Sequence, residues 1–164
     1  MKFMILALAM IMVGNVARAD PYANFKYGYS IDVPKAISVG LYEADAGDGI
    51  RSHSLDGQAD FIAYGSFLAD SVGHKTSFDS EVKNNIKSEI GDGWKIVYNK
   101  AVSKKWTAYS GTKGNRIFYA RSIVGCSGQS LAVFRLEYPA GNKAAFDPVI
   151  KELNISFIDG GGCS

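Results

Sequence analysis

Apolar and polar residues alternate along several short stretches of the chain, and turn residues separate these stretches. Every second residue before Pro34 is aromatic or aliphatic: Tyr27, Tyr29, Ile31 and Val33. This alternation predicts a β-strand. Two further strand-like runs, 50–55 and 58–67, flank Asp56-Gly57. Asp-Gly favours a tight hairpin because both central turn positions need a positive φ, so we expect these two strands to pair antiparallel.

Two other stretches have the spacing of amphipathic helices. The first runs from a cap at Thr76 or Ser77 to Gly91, with an apolar residue every four positions: Phe78, Val82, Ile86 and Ile90. The second covers 143–153, with an apolar face formed by Phe146, Val149, Ile150 and Leu153. Pro148 falls inside this second helix and is expected in its first turn, where proline is tolerated.

Between the two helices, turn residues separate four predicted strands: 94–103, 104–111, 115–125 and 130–139. The pattern does not fix where the first two of them divide, and it indicates a looser stretch over 35–49. Consecutive strands joined by tight turns form an antiparallel meander. The predicted fold class is therefore α+β, an antiparallel β-sheet meander covered by two or more α-helices, in a single domain over 20–164.

The first nineteen residues have the layout of a secretory signal peptide. Lys2 precedes eleven uncharged apolar residues, and Ala17 and Ala19 are small residues where a signal peptidase reads. The apolar run is shorter than the ~20 residues of a membrane span. We therefore expect cleavage between Ala19 and Asp20, a periplasmic or secreted location and no membrane insertion; an N-terminal core helix is the alternative. The mature chain would carry 16 basic and 16 acidic residues, since it loses Lys2 and Arg18.

Export would place Cys126 and Cys163 in an oxidising compartment. They are the chain's two cysteines, and a disulfide between them would fasten the glycine-rich tail to the turn at Ser127-Gly128. Two free thiols or a bridge between molecules are the alternatives. Two cysteines and two scattered histidines do not predict a metal site, and no motif predicts a cofactor.

Several short phrases accompany this order of elements. They are Tyr-Ser-Ile-Asp-Val-Pro at 29–34, Asp-Gly at 56–57, Ala-Tyr-Gly at 63–65, Ser-Gly at 110–111, Ile-Phe-Tyr at 117–119, Tyr-Pro at 138–139 and Ile-Ser-Phe at 155–157. Together they resemble the Mog1/PsbP-like group of α/β/α sandwich domains, which has secreted bacterial members of unknown role. Photosystem-associated subunits, a nuclear-transport factor and secretion-system adaptors belong to this group. The resemblance therefore implies a protein that binds other proteins, and it implies no catalytic residue.

The two histidines are the candidate imidazole bases. His53 lies between Ser52 and Ser54, so a small hydrolase with a site near His53 is one alternative function. Neighbouring residues on a strand do not supply the geometry of a catalytic triad, and a surface histidine explains the same pattern. His74 lies in a Gly-His-Lys-Thr stretch that lacks the rest of a phosphate loop. A small-ligand carrier is the second alternative, and it needs an apolar cavity between sheet and helix.

Charge divides the chain more clearly than any motif. The stretch 93–136 has eight basic residues and no acidic one, whereas 37–92 has ten acidic residues and four basic. Aromatic residues lie among the basic ones: Trp94, Tyr98, Trp106, Tyr109, Phe118 and Tyr119. The two halves could simply attract each other within one fold, with lysines protecting strand edges. Alternatively, the basic half could dock an acidic protein or an anionic polymer; an exported, formally neutral protein is not expected to bind nucleic acid.

The hypothesis we carry forward is a non-enzymatic secreted or periplasmic binding protein that docks an acidic protein partner. An inhibitor or immunity protein is one concrete form of it. The residues predicted to bind the partner are Lys104, Lys105, Trp106, Lys113, Arg116, Tyr119 and Arg121. The sequence leaves the oligomeric state and the identity of the partner open.

Overall fold

The computed structural model of the chain describes residues 19–69, 73–161 and 163. The predicted signal peptide, apart from Ala19, lies outside these residues. The strands of the described structure are β1 (Asp20–Asn24), β2 (Tyr29–Val33), β3 (Val39–Glu43), β4 (Gly49–His53), β5 (Asp60–Phe67), β6 (Lys95–Ser103), β7 (Trp106–Lys113), β8 (Arg116–Gly125), β9 (Ser130–Pro139) and β10 (Ile158–Asp159). Its helices are α1 (Phe78–Gly91) and α2 (Lys143–Ser156). Neither of them is long and apolar enough to cross a membrane.

Seven of the strands form one antiparallel sheet in the order β3-β4-β5-β9-β8-β7-β6. The predicted hairpin around Asp56-Gly57 is its β4–β5 pair, and the predicted four-stranded meander is β6 to β9. Lys104 and Lys105 form the turn that divides the first two strands of the meander. β1, β2 and β10 form a second, three-stranded sheet. The α+β fold class is confirmed.

Helices cover the two faces of the large sheet. On the face that we call the α1 face, Phe78 and Val82 of α1 pack against Leu131 of β9. On the opposite face, which we call the α2 face, Phe134 of β9 packs against Phe157 at the end of α2, with ring centres 5.1 Å apart. Neighbouring residues along a strand point to opposite faces, so each face of β9 receives its own apolar row.

Neither helix covers the full width of its face. On the α1 face, side chains of β3, β4 and β5 line an open groove that includes Tyr42, Arg51 and His53. On the α2 face, α2 leaves the end formed by β6 uncovered, as the 45% exposure of Tyr98 shows. The large sheet therefore has two uncovered areas. One is the β3–β5 end of the α1 face, and the other is the β6 end of the α2 face.

Alternation did not predict three strands, which are β1, β3 and the two-residue β10. In β3, Gly40 has a positive φ and a bulge separates Val39 from Tyr42. The side chains of β3 therefore do not alternate regularly, and the stretch that the sequence presents as loose is an edge strand of the large sheet.

The two helices need three corrections of detail. Ile90 is exposed, because a four-residue repeat drifts about 40° per step around a helix of 3.6 residues per turn. Gly91 is still helical, and Asp92 is the residue that caps the end of α1. Pro148 is the sixth residue of α2 and so lies in its second turn.

Cys126 and Cys163 lie at disulfide distance, as predicted, with their Cα atoms 5.1 Å apart. After α2, residues 158–160 run along β2, and the Gly160 N–H donates to the Gly28 carbonyl at 2.9 Å. Gly28 has a φ of +63°, and a Cβ there would lie 2.9 Å from the Cys126 nitrogen. The disulfide thus joins two segments next to Gly28, where the backbones approach too closely for a side chain.

Buried tyrosines predict unfolding at alkaline pH. Burial raises the pKa of Tyr22 to about 12, and it also raises the pKa of Tyr29, Tyr64 and Tyr109. Unfolded tyrosines ionise near pH 10. Above about pH 10 the folded state therefore holds more protons than the unfolded state, and the free energy of unfolding falls as pH rises toward the folded pKa.

We expect phenolate absorbance to appear and near-UV circular dichroism to disappear together in one alkaline transition. If most tyrosines instead ionised near pH 10 while the near-UV signal stayed intact, these side chains would not be buried as described.

Candidate functional site

The seven residues predicted to form one basic, aromatic surface lie on opposite faces of the large sheet. Trp106, Tyr119 and Arg121 point to the α2 face, where Trp106 and Tyr119 pack against the core beneath α2. Arg116 points to the α1 face, because it is five positions from Arg121 on the same strand and side chains alternate. Lys113 pairs with Arg116 in register and shares its face. The seven residues therefore do not form a single surface.

The arginines of the α1 face are neutralised within the molecule. The Arg135 Nε donates to Glu89 of α1 at 2.7 Å, and its guanidinium donates to Glu137 at 2.8 Å. Arg116 also donates to Glu137, and it lies 3.5 Å from the Asp60 carboxylate. Mutual attraction of the basic and acidic parts of the chain accounts for these two arginines.

Arg135 also contacts two aromatic rings. The Arg135 guanidinium lies 4.7 Å from the centre of the Phe118 ring and 5.1 Å from that of Trp94. Burial by itself would lower the pKa of Arg135, but its hydrogen bonds to Glu89 and Glu137 outweigh burial and raise the pKa. Burial likewise opposes ionisation of Glu137, and its two arginine partners nevertheless lower its pKa. This cluster is a structural element that ties α1 to the sheet.

Lys113 is also engaged in contacts within the fold. Its Nζ donates to the Asp92 carbonyl at the end of α1 at 2.6 Å and lies 6.0 Å from the centre of the Trp94 ring. Of the seven predicted residues, Lys113 therefore contacts the end of α1, whereas Arg116 contacts acidic residues of β5 and β9.

Arg121 differs from the arginines of the α1 face. Its guanidinium lies 5.1 Å from the centre of the Trp106 ring and donates to the Asn154 carbonyl near the end of α2. Within the described residues it forms no salt bridge, and its buried Nε has no hydrogen-bond partner. Burial lowers the pKa of Arg121, which reflects the cost of holding a half-buried cation without an anion.

The residues around Arg121 on the α2 face, together with the β6–β7 turn, make up an area that we call the β6–β8 surface. It consists of Tyr98, Lys104, Lys105, Trp106, Tyr119 and Arg121. Tyr98 pairs with Ser110, which pairs with Tyr119, so these three residues form one row across the strands. The Tyr119 hydroxyl donates to Asn154 at 3.2 Å and marks the border with α2. Lys104 and Lys105 are exposed at the Trp106 end of the patch.

Sequence reasoning missed two kinds of residue in this site. Tyr98 lies on this surface although alternation does not predict it there, because a bulge next to it in β6 breaks the alternation. Asn154 lies more than thirty positions along the chain from Tyr119 and Arg121, and no local pattern connects them. Arg116 and Arg121 are five positions apart on one strand. This odd spacing indicates that their side chains point to opposite faces of the sheet.

The residues around His53 do not form a nucleophile–base pair. Ser52 and Ser54 alternate with His53 along the chain, and their hydroxyls donate to the Ile37 carbonyl and to Asp56, respectively. His53 itself lies opposite Asp60 across the β4–β5 pair, at the rim of the open groove. In the described part of the chain, no cluster of three or more His, Cys, Asp or Glu side chains could hold a metal ion.

Comparisons with known proteins identify the fold. The sequence matches no protein-family model, and it matches no curated protein. Its structure is similar to that of cyanobacterial PsbP (CyanoP) from Synechocystis sp. PCC 6803, with a TM-score of 0.60 and 12% identity over 93% of this chain and 98% of that one. It is also similar to the Ran-binding protein Mog1p of Saccharomyces cerevisiae, with a TM-score of 0.60 and 10% identity over 88% and 97% of the two chains.

A third solved structure, that of a point mutant of Mog1, gives the same result, with a TM-score of 0.59 and 10% identity over 87% and 96% of the two chains. The chain therefore has the Mog1/PsbP-like fold. The resemblance inferred from the short sequence phrases is confirmed at the level of the fold.

Proposed function

We propose that this protein is a non-enzymatic, exported binding protein that docks an acidic protein partner on its β6–β8 surface. The observation that carries the proposal is Arg121, a half-buried cation stacked on Trp106 without a carboxylate in the described structure. A buried charge without a counter-ion is costly. An incoming carboxylate would supply that counter-ion, and arginine beside an aromatic ring is typical of the central contacts of protein interfaces.

Charge around Arg121 supports the same partner chemistry. Lys104 and Lys105 lie at one end of the surface, and the stretch 93–136 contains no acidic residue that could repel a negative partner. A basic patch of this kind increases the rate at which an acidic protein associates. Tyr98 and Trp106 add apolar area that a partner can bury.

The fold relatives support a binding role without naming the partner. Mog1p is a Ran-binding protein, which places protein recognition within the range of this fold. The N-terminal sequence supports export, because residues 1–19 have the layout of a signal peptide. A secreted or periplasmic inhibitor or immunity protein is the specific form that we propose, since a small, disulfide-containing domain suits that role.

Charge reversal on the β6–β8 surface is expected to reduce partner capture strongly. We would immobilise the oxidised protein and its variant Lys104→Glu/Lys105→Glu, expose both to envelope extract at low and moderate salt, and compare the bound proteins quantitatively. The expected result is an acidic protein retained on the wild type, released at moderate salt, and reduced at least roughly tenfold on the variant, since like charges now face each other.

The matched control is Lys87→Glu/Lys151→Glu, which makes the same change in net charge at exposed lysines of α1 and α2. It should retain the acidic protein as the wild type does. Equal losses on both variants would mean that net charge alone governs capture, and the assignment to the β6–β8 surface would then be wrong.

A further inference from the structure

The uncovered end of the α1 face carries a groove that the proposed function does not use. The groove has a volume of about 420 Å³ and is lined by residues of β3, β4, β5 and β9. A second depression of about 350 Å³ continues it and shares Arg51 and Ile62 with it. Together they follow the β4–β5 pair from His53 to Gly49.

One row of side chains crosses this groove. Register places Tyr42, Arg51, Ile62 and Arg135 side by side on four neighbouring strands. An exposed aromatic ring thus lies on one side of Arg51, and an aliphatic side chain lies on the other. Cross-strand neighbours are close enough to contact one ligand together.

Arg51 is a cation in the groove that has no carboxylate partner among the described residues. Arg135 is held by Glu89 and Glu137, as described above. The two carboxylates at the ends of the groove are also engaged, because Asp60 lies 3.5 Å from Arg116 and Asp48 lies 2.8 Å from Lys26. Within the described residues, no salt bridge involves Arg51. A guanidinium in this position suits a carboxylate, which it can bind through two hydrogen bonds.

The shape of the groove favours an extended chain. The two depressions run along the five residues of β4, a length of about 16 Å at ~3.3 Å per residue. An extended peptide of about five residues has the same length. The apolar side chains beside Arg51 would receive the residues that flank a central carboxylate.

We propose that this groove binds an extended peptide segment in which a glutamate or aspartate is flanked by aliphatic or aromatic residues. The carboxylate lies on Arg51, and the flanking side chains contact Tyr42 and Ile62. This site is on the opposite face of the sheet from the β6–β8 surface, so either site can exist without the other.

The test uses the purified, oxidised protein and a pool of acetylated, amidated pentapeptides with a central glutamate and flanks drawn from leucine, valine and phenylalanine. A matched pool carries glutamine at the centre. Backbone amide shifts measured by NMR during titration to ~1 mM report affinity and location together. The variants are Arg51→Gln and, as a control, Lys151→Gln on the exposed face of α2.

The glutamate pool should shift amides in 49–53 and 60–64 and should bind roughly tenfold more tightly than the glutamine pool, as expected for a charged hydrogen bond. Arg51→Gln should erase that difference, and Lys151→Gln should preserve it. Equal binding of the two pools, shifts confined to the β6–β8 surface, or no shifts at all would each overturn the proposal. Binding of 4-phenylbutanoate without binding of any peptide would also overturn it, in favour of a small carboxylate ligand.

Discussion

Replacing Arg135 with alanine is expected to lower the free energy of unfolding by about 3 kcal/mol. The substitution leaves Glu89 and Glu137 largely buried without their shared cation, since these carboxylates are 14% and 20% exposed. Removing one partner of a buried ion pair is strongly destabilising because the other charge stays desolvated. The substitution also removes the guanidinium that lies against Phe118 and Trp94.

Urea unfolding at neutral pH measures this change, and Arg51→Ala serves as the control. Arg51 is exposed on the same face of the sheet and has no salt bridge in the described structure, so its removal should cost no more than about 0.5 kcal/mol. Equal effects of the two substitutions would show that Arg135 does not connect α1 to the sheet. Because the pKa of Glu137 is lowered, the contribution of this cluster should be present at neutral pH and should disappear as pH falls through that lowered pKa.

Removing the disulfide with Cys126→Ser/Cys163→Ser should lower the free energy of unfolding by about 3–4 kcal/mol. The bond spans 37 residues, and closing a loop of that length restricts the unfolded chain by this amount. The loss should be accompanied by faster hydrogen exchange at Gly160, whose N–H is bonded to the Gly28 carbonyl.

The wild-type protein with reductant added provides the comparison for this variant. It should unfold at the same urea concentration as the double variant, because both lack the same covalent bond. If the oxidised wild type were no more stable than the variant, Cys126 and Cys163 would not form the bond that fastens the tail.

Local patterns were sufficient for the elements that depend on neighbouring residues. The Asp56-Gly57 hairpin, the Ser77 cap of α1 and the four strands of the meander follow from turn chemistry and periodicity. β3 was missed because its backbone contains a glycine with positive φ and a bulge, which remove the alternation that identifies a strand. β1 is recognisable by its pairing with β2, which a local pattern does not contain.

The candidate site depended on information that is not local. Eight basic residues in one stretch suggested one surface, but register places Arg116 beside acidic side chains and Arg121 beside Trp106. Glu89 of α1 and Glu137 of β9 determine which arginine is neutralised. Glu89 reaches Arg135 only because α1 packs on the sheet. Composition therefore predicts the charge of the site. Only the fold determines which of the basic residues can contact a partner.

Site-specific photo-crosslinking from position 98 tests the central claim most directly. A photoreactive phenylalanine analogue would replace Tyr98 on the β6–β8 surface, and a second variant would carry it in place of Lys87 on α1. In cells that produce the protein, we expect the probe at position 98 to form a crosslink to one acidic protein, and the probe at position 87 to form none. A crosslink to that protein from position 87 alone, or no crosslink from position 98, would contradict docking on the β6–β8 surface.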